Sequence, residues 1–338
     1  MAKRWKKRPE GSTWGDWGED DQIGRMNLLT PDRVKAAVAE VRDGRSFCLS
    51  LPLDLPGGNA VNPKRHPPQF KPVFVGEDVY FNYVWDKYNP GDMDVSCDEA
   101  ILLYSQYSTQ WDSLCHIGSK FDADGDGEPE PVYYNDFRPG EHIGGNPGDG
   151  KLGARALGVE NMAESCVQGR GVMVNLHAHF GDERVAVTYD QLMDIFATDS
   201  IRVEEGDMLC LHTGWDDMIL SMGGDPDAEK LHNSCAVLDG YDDRLLQWIT
   251  DSGISVIVSD NMAVENSQGG GDTQGGHSHL PIHRHCLFRL GVNLGELWYL
   301  SELAAELARQ NRFRFLLTAP PLRLPGAVGS PVTPVGTI

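Results

Sequence analysis

In the C-terminal half of the chain, helix-start signals alternate with apolar runs of strand length, and this alternation restricts the fold more than any other feature. Thr188 precedes YDQLMDIFATD, Asp242 or Asp243 precedes RLLQWITDSG, and Ser301 precedes ELAAELARQNR. Each is a hydroxyl or carboxylate able to cap an apolar helical stripe. Thr30-Pro31 before DRVKAAVAEVRDG adds an N-terminal example with a proline at the first helical position and a terminating glycine at 44. Between and around these lie short runs at 46–53, 101–108, 172–176, 207–214, 254–260 and 313–320, which read as strands. Such alternation predicts an α/β core.

Two segments break the pattern. From 54 to about 96, and again from 121 to 153, the chain is rich in Gly, Pro, Asn and Asp, which predicts long loops or irregular β excursions. No repeat or linker divides the 338 residues, so one domain over 1–338 with an N-terminal arm at about 1–25 is expected.

Charge narrows the partners. There are 29 basic against 50 acidic residues, a net of -21, and such a surface repels phosphate backbones and anionic lipid. A small-molecule partner is expected, with neither nucleic acid nor membrane. The basic cluster KRWKK at 3–7 reads as a solvated, frayed terminus. It is followed by polar sequence, so no signal peptide is expected. Seven scattered cysteines without a Cys-x-x-Cys pair fit reduced thiols in a cytoplasm.

The chemistry concentrates in a few stretches. DADGDG at 122–127 matches the start of a calcium loop, but Tyr133 stands where the closing bidentate carboxylate belongs, so an acidic turn is expected. His177 and His179 in HAHF share a face if that stretch is extended; with no carboxylate beside them in sequence, they read as hydrogen-bonded surface histidines. HSHLPIHRHC at 277–286 is denser. Pro281 starts a helix there, which puts His283 and His285 on different faces, so one points into a site and the other packs. Glu296 lies in the apolar run CLFRLGVNLGELWYL, and a glutamate is seldom buried without a partner or a metal. In TQWDSLCHIG at 109–118, Gln110 and Asp112 share one face of an extended segment, as a metal or polar substrate requires. Asp112, His116, one of His283 or His285, and Glu296 together make an oxygen and nitrogen set suited to zinc or manganese.

TQWDSLCHIG, the LPIH start at 280–283 and GVNLGEL at 291–297, with DMLCLHTGW at 207–215 and SDNMAVE at 259–265, resemble the cyclase or kynurenine-formamidase-like family of metal-dependent hydrolases. Isatin hydrolases and trans-dienelactone hydrolases are among its members. The family signature His-x-Gly-Thr-His-x-Asp-x-Pro-x-His places its aspartate on Asp112 and its last histidine on His116. Its two earlier histidines fall on Gln106 and Gln110 and its proline on Leu114, which marks a longer, divergent branch with one metal in place of two.

The resemblance implies a swivelling β/β/α fold, a homodimer or larger homo-oligomer, and hydrolysis of a small cyclic ester, lactone or amide by a metal-activated water. It implies that Asp112, His283 and Glu296 hold the ion, while His116 moves the proton and Gln110 orients water or substrate. Trp111, Gln106 and His285 are expected to contact substrate, with Trp14 and Trp17 as further candidates for an aromatic wall. A lyase or cyclase working through an enolate, and a metal-dependent binding protein without turnover, are the alternatives.

Overall fold

The computed structural model describes residues 4–145, 152–266, 272–273 and 276–338. Most of the glycine-rich stretch 268–276, residues 146–151 of the second long loop, and Lys3 of the basic cluster lie outside the described residues.

Among the described residues, nine strands build one mixed sheet. They are β1 (Ser46–Cys48), β2 (Gln110–Asp112), β3 (Gln168–Asn175), β4 (Met208–His212), β5 (Val256–Ser259), β6 (Asn293–Glu296), β7 (Arg314–Thr318), β8 (Gly329–Pro331) and β9 (Val335–Thr337). Their order across the sheet is β1-β9-β7-β3-β4-β5-β6-β2-β8. The four central strands β3, β4, β5 and β6 run parallel, and antiparallel strands complete both flanks. β4 and β5, buried on both faces, read as nearly continuous apolar runs, MLCL and VIV. The α/β class read from the alternation is the class observed, with the sheet curled into a half-barrel.

Three of the four caps form as their sequences dictate. Thr30 accepts from the Arg33 amide at the start of Pro31–Val38, Thr188 and Gln191 close a capping box on Tyr189–Thr198, and Asp242 accepts from the amides of Arg244 and Leu245 to open Asp243–Ser252. Ser301–Arg309 has no side-chain cap at its preceding residue. Its first amides, Leu300 N and Ser301 N, donate instead to the buried Asp216, a cap supplied from another helix.

Four expectations are corrected. The N-terminal arm is not frayed: Trp5 and Trp14 are buried, the Trp14 indole packs edge-on against Phe288 at 5.3 Å and donates to the Phe288 carbonyl at 2.7 Å, and Arg4 lies over the Phe137 ring. The apolar content of the two tryptophans outweighs the charge around them. HAHF is one helical turn, not extended; His177 bonds Asp182 and His179 bonds Asp199, so both are hydrogen-bonded, as their surface reading required. The run at 101–108 does not enter the main sheet, because Glu99–Leu102 pairs locally with Gln69–Pro72. This pairing, with two shorter ribbons, makes the excursion between 69 and 102 β-structured. Finally, Trp111 and Trp14 are core residues and Trp17 is only partly exposed.

Candidate metal centre

Period-two geometry builds the centre. In β2, Gln110 and Asp112 point to one face and Trp111 to the other. Trp111 packs at 5.1 Å on Trp298 and donates to the Ala319 carbonyl, so full burial in the core excludes it as a substrate wall. Antiparallel register sets Gln110 opposite Glu296 and Asp112 opposite Leu294. Gln110, Asp112 and Glu296 therefore share a face, and Gln110 Nε2 donates to Glu296 Oε2 at 3.1 Å.

The run from Pro281 to Leu290 covers that face. It opens with Pro281 at the first helical position and continues as a π-helical stretch over Arg284–Leu290. His283 Nε2 reaches Glu296 Oε1 at 3.1 Å and stands 3.6 Å from Asp112 Oδ2, too far for a hydrogen bond. On its other side, His283 Nδ1 donates to Glu265 Oε1 at 2.7 Å. The same Glu265 carboxylate accepts from the Ile282 amide (2.7 Å) and the His283 amide (2.9 Å). It thus caps the helical run and fixes the imidazole in one stroke.

Glu265 was given no role from sequence. SDNMAVE carries part of the family resemblance, but which of its residues meets the centre is decided only by a contact between residues 18 positions apart.

Gln106 closes the near side. Its Nε2 donates to Asp112 Oδ1 at 2.5 Å and to His116 Nδ1 at 3.0 Å. Asp112 is fully buried whereas His116 keeps partial exposure. Burial alone would raise the Asp112 carboxyl, but His116, His283 and Gln106 outweigh it and hold the group at about 2. Burial also opposes charge on His283, yet the facing Asp112, Glu265 and Glu296 carboxyl groups raise its pKa well above the ordinary histidine value.

Ligand atoms of Asp112, His116 and His283 lie within 4.8 Å of one another. Two acceptors here have no partner, Asp112 Oδ2 and Gln110 Oε1. A buried carboxylate oxygen without a donor is costly, and a cation at this point would satisfy it. Glu296, expected as a ligand, stands one hydrogen bond away through His283 Nε2. His285 is not brought into the centre. It faces the opposite side of the run, where Nε2 lies 2.9 Å from Thr250 Oγ1, and burial with the nearby Arg289, Arg25 and Arg284 lowers its pKa to about 3.

Among the described residues, two other groups have metal-like composition. His212, Asp216 and Asp260 cluster in the core, but their polar atoms are already claimed. Asp260 accepts from Thr213 N, Thr213 Oγ1 and Gly214 N. Asp216 accepts from Leu300 N, Ser301 N, Ser301 Oγ and Asp217 N. His212 bonds Asn175 and Ser301. Burial and then Asp216 raise the Asp260 carboxyl well above its usual range. This is a scaffold that ties the strand ends to the helix at 301. In the acidic turn, Asp122 and Asp124 approach Glu130, and Lys7 already bonds Asp122 Oδ2 at 2.6 Å.

Residues 49–266 match the family described as "Putative cyclase". No curated protein matches the sequence. Among solved structures, one titled as a novel cyclase is 30% identical, covers 97% of each chain and superposes with a TM-score of 0.74. Isatin hydrolase A from Labrenzia aggregata is 14% identical, with 90% of this chain and 98% of that one covered and a TM-score of 0.54. Isatin hydrolase A from Ralstonia solanacearum is 13% identical, with 91% and 97% covered and the same TM-score. These two share the fold. Because the family match spans most of the chain and agrees with the geometry of the centre, the chain belongs to the cyclase family.

Proposed function

We propose that the protein is a metal-dependent hydrolase that opens a small cyclic ester, lactone or amide. The observation that carries this reading is the convergence of Asp112, His116 and His283 around a buried carboxylate oxygen that has no donor. A mixed oxygen and nitrogen set of this kind suits zinc or manganese. When bound, such an ion polarises a carbonyl and lowers the pKa of its water toward ~7.

The residues divide the remaining work. Asp112 and His283 hold the ion, with Glu296 beside them. Glu265 keeps the His283 proton on Nδ1 and so leaves Nε2 aimed at the centre. Gln106 fixes Asp112 and His116 together. Because the Gln106 amide donates to His116 Nδ1, the neutral ring carries its proton on Nε2. That ring is partly exposed, so it can pass a proton between the centre and solvent, as a general acid and base must. Gln110, with a free carbonyl oxygen, orients water or the substrate N–H. The resemblance stated above adds a homo-oligomeric assembly, read directly by sedimentation.

The test is metal analysis of the purified protein, then a panel of lactones, esters and cyclic amides in oxygen-18 water. Hydrolysis places solvent oxygen in the product. A product free of solvent oxygen would shift the reading to a lyase, and tight binding without turnover would shift it to a binding protein.

A further inference from the structure

Exposed apolar surface is not spread evenly over the chain. Among the described residues sixteen large apolar side chains are exposed, and eleven of them lie between Phe70 and Leu102, within a tenth of the sequence. We propose that this excursion is an arm through which a second copy of the chain docks, apolar face against apolar face across a two-fold axis. This docking rests on the homo-oligomeric reading above and gives it a surface.

The arm is ordered from within. Tyr83 is its only buried residue between 69 and 102, and the rings that meet it, Tyr80, Trp85 and Tyr88, belong to the arm itself. Trp85 Nε1 donates to Ser96 Oγ at 2.8 Å, and at the base Arg65 Nη1 donates to the Gln106 carbonyl at 2.5 Å. Yet every residue of Gln69–Pro72 and of its partner Glu99–Leu102 is exposed, so both faces of that ribbon meet water. A two-stranded ribbon is marginal by itself, and one bare on both faces calls for a cover.

Register gathers the apolar groups, and their area decides the cover. Phe70 stands opposite Ile101, Phe74 opposite Val79 and Val84 opposite Val95, and residues opposite each other share a face. Phe70, Phe74, Phe81 and Tyr88 are 71%, 57%, 52% and 51% exposed. At roughly 150–250 Å² per aromatic residue these four leave about 350–580 Å² bare, already as much as the largest patch of a typical monomer. The seven other apolar side chains bring the arm toward the ~800 Å² that each partner contributes to a stable dimer. A two-fold contact sets the same patch against itself, so one copy supplies the apolar surface that the other needs. A lipid surface fits less well, because seven acidic and two basic residues lie between 69 and 102, a balance that anionic headgroups repel. Between two arms those charges act only over a Debye length of about 8 Å at physiological salt.

Sedimentation of the full chain over a dilution series reads the test. The wild type should be a dimer or larger. Phe70→Ser combined with Phe74→Ser removes two exposed rings and should raise the Kd at least about tenfold, with an unchanged circular dichroism spectrum. Leu322→Ser, at an exposed apolar position outside the arm, should leave the Kd as it is. Added sodium chloride should hold or tighten the wild-type assembly, because screening removes the acidic repulsion and spares the apolar contact. A monomeric wild type overturns the docking and the homo-oligomer together, and one that instead floats with phosphatidylcholine vesicles assigns the arm to a lipid surface. An assembly whose size and Kd the double variant leaves unchanged, or one that salt or Leu322→Ser dissociates, overturns the arm alone. None of these readouts bears on metal content or hydrolysis, which test the hydrolase reading separately.

Discussion

Glu265→Gln isolates the role of the residue that fixes His283. The carboxylate accepts three N–H groups with two oxygens, and the carboxamide keeps one oxygen. If that oxygen stays with the His283 amide and Nδ1, an NH2 group faces the Ile282 amide. One buried donor then loses its acceptor, at about 1–3 kcal/mol. The surviving bond to Nδ1 also loses its charge assistance, which is worth roughly half its strength.

The chelated variant should therefore melt several degrees lower, since about 1 kcal/mol shifts a domain of more than 150 residues by roughly 2–4 °C. Metal affinity should fall about 10- to 100-fold, the usual effect of removing a group that orients a ligating histidine. Equilibrium dialysis against graded chelator with elemental analysis reads the affinity, and scanning calorimetry of the chelated protein reads the stability. Glu265→Ala is a harsher control, because it leaves all three donors without an acceptor. Wild-type metal affinity in a destabilised Glu265→Gln protein would refute the reasoning: Glu265 would then support the fold alone, and His283 Nε2 would not be a ligand.

Asp112→Ala should strip the metal and the activity together, whereas His116→Ala should keep most of the metal while the rate falls roughly 10²- to 10⁴-fold; metal content and turnover on the same samples distinguish a ligand from a proton carrier. Protein purified without chelator should hold close to one divalent ion per chain, because the donors around His212, Asp216 and Asp260 are already engaged; two tightly held equivalents by elemental analysis would contradict this. In chelated protein, the stability contributed by His283 is complete below about pH 6.5 and is lost as pH rises through its raised folded value, while that of Asp112 is complete above about pH 3.9 and is lost as pH falls toward 2. Melting temperature should thus decline at alkaline pH, and His283→Gln should flatten that limb.

What the sequence disclosed depended on whether a local period or a distant meeting decided the outcome. The caps at Thr30, Thr188 and Asp242 are local chemistry, and each formed where its residue type required. The shared face of Gln110 and Asp112 followed from an alternation of two, and the same alternation, pressed one residue further, already turns Trp111 into the core. Helical spacing separated His283 from His285 without saying which met Asp112. That choice is made by β6 and β2 meeting under the run, a contact between residues 171 positions apart in His283 and Asp112. Glu265 was hidden for the same reason. The N-terminal arm misled because its charges were weighed above Trp5 and Trp14, whose buried area decides where it lies.

The raised pKa of His283 and the proposed ion express one electrostatic demand. Three carboxyl groups, Asp112, Glu265 and Glu296, crowd a single buried imidazole, and a low-dielectric site does not tolerate that concentration of negative charge without a cation. With no ion present, the proton on His283 Nε2 supplies part of the compensation and donates to Glu296. A divalent ion coordinated by Nε2 must displace that proton, so metal and proton compete for one nitrogen. Metal affinity should therefore rise with pH until the raised pKa of His283 is passed. The strength of the carboxylate cage that draws the ion in is also what makes the imidazole reluctant to release its proton. Asp112 Oδ2, the one cage oxygen without a donor, would gain a partner in a bound ion but not in the His283 proton, a difference that would favour the metal over the proton.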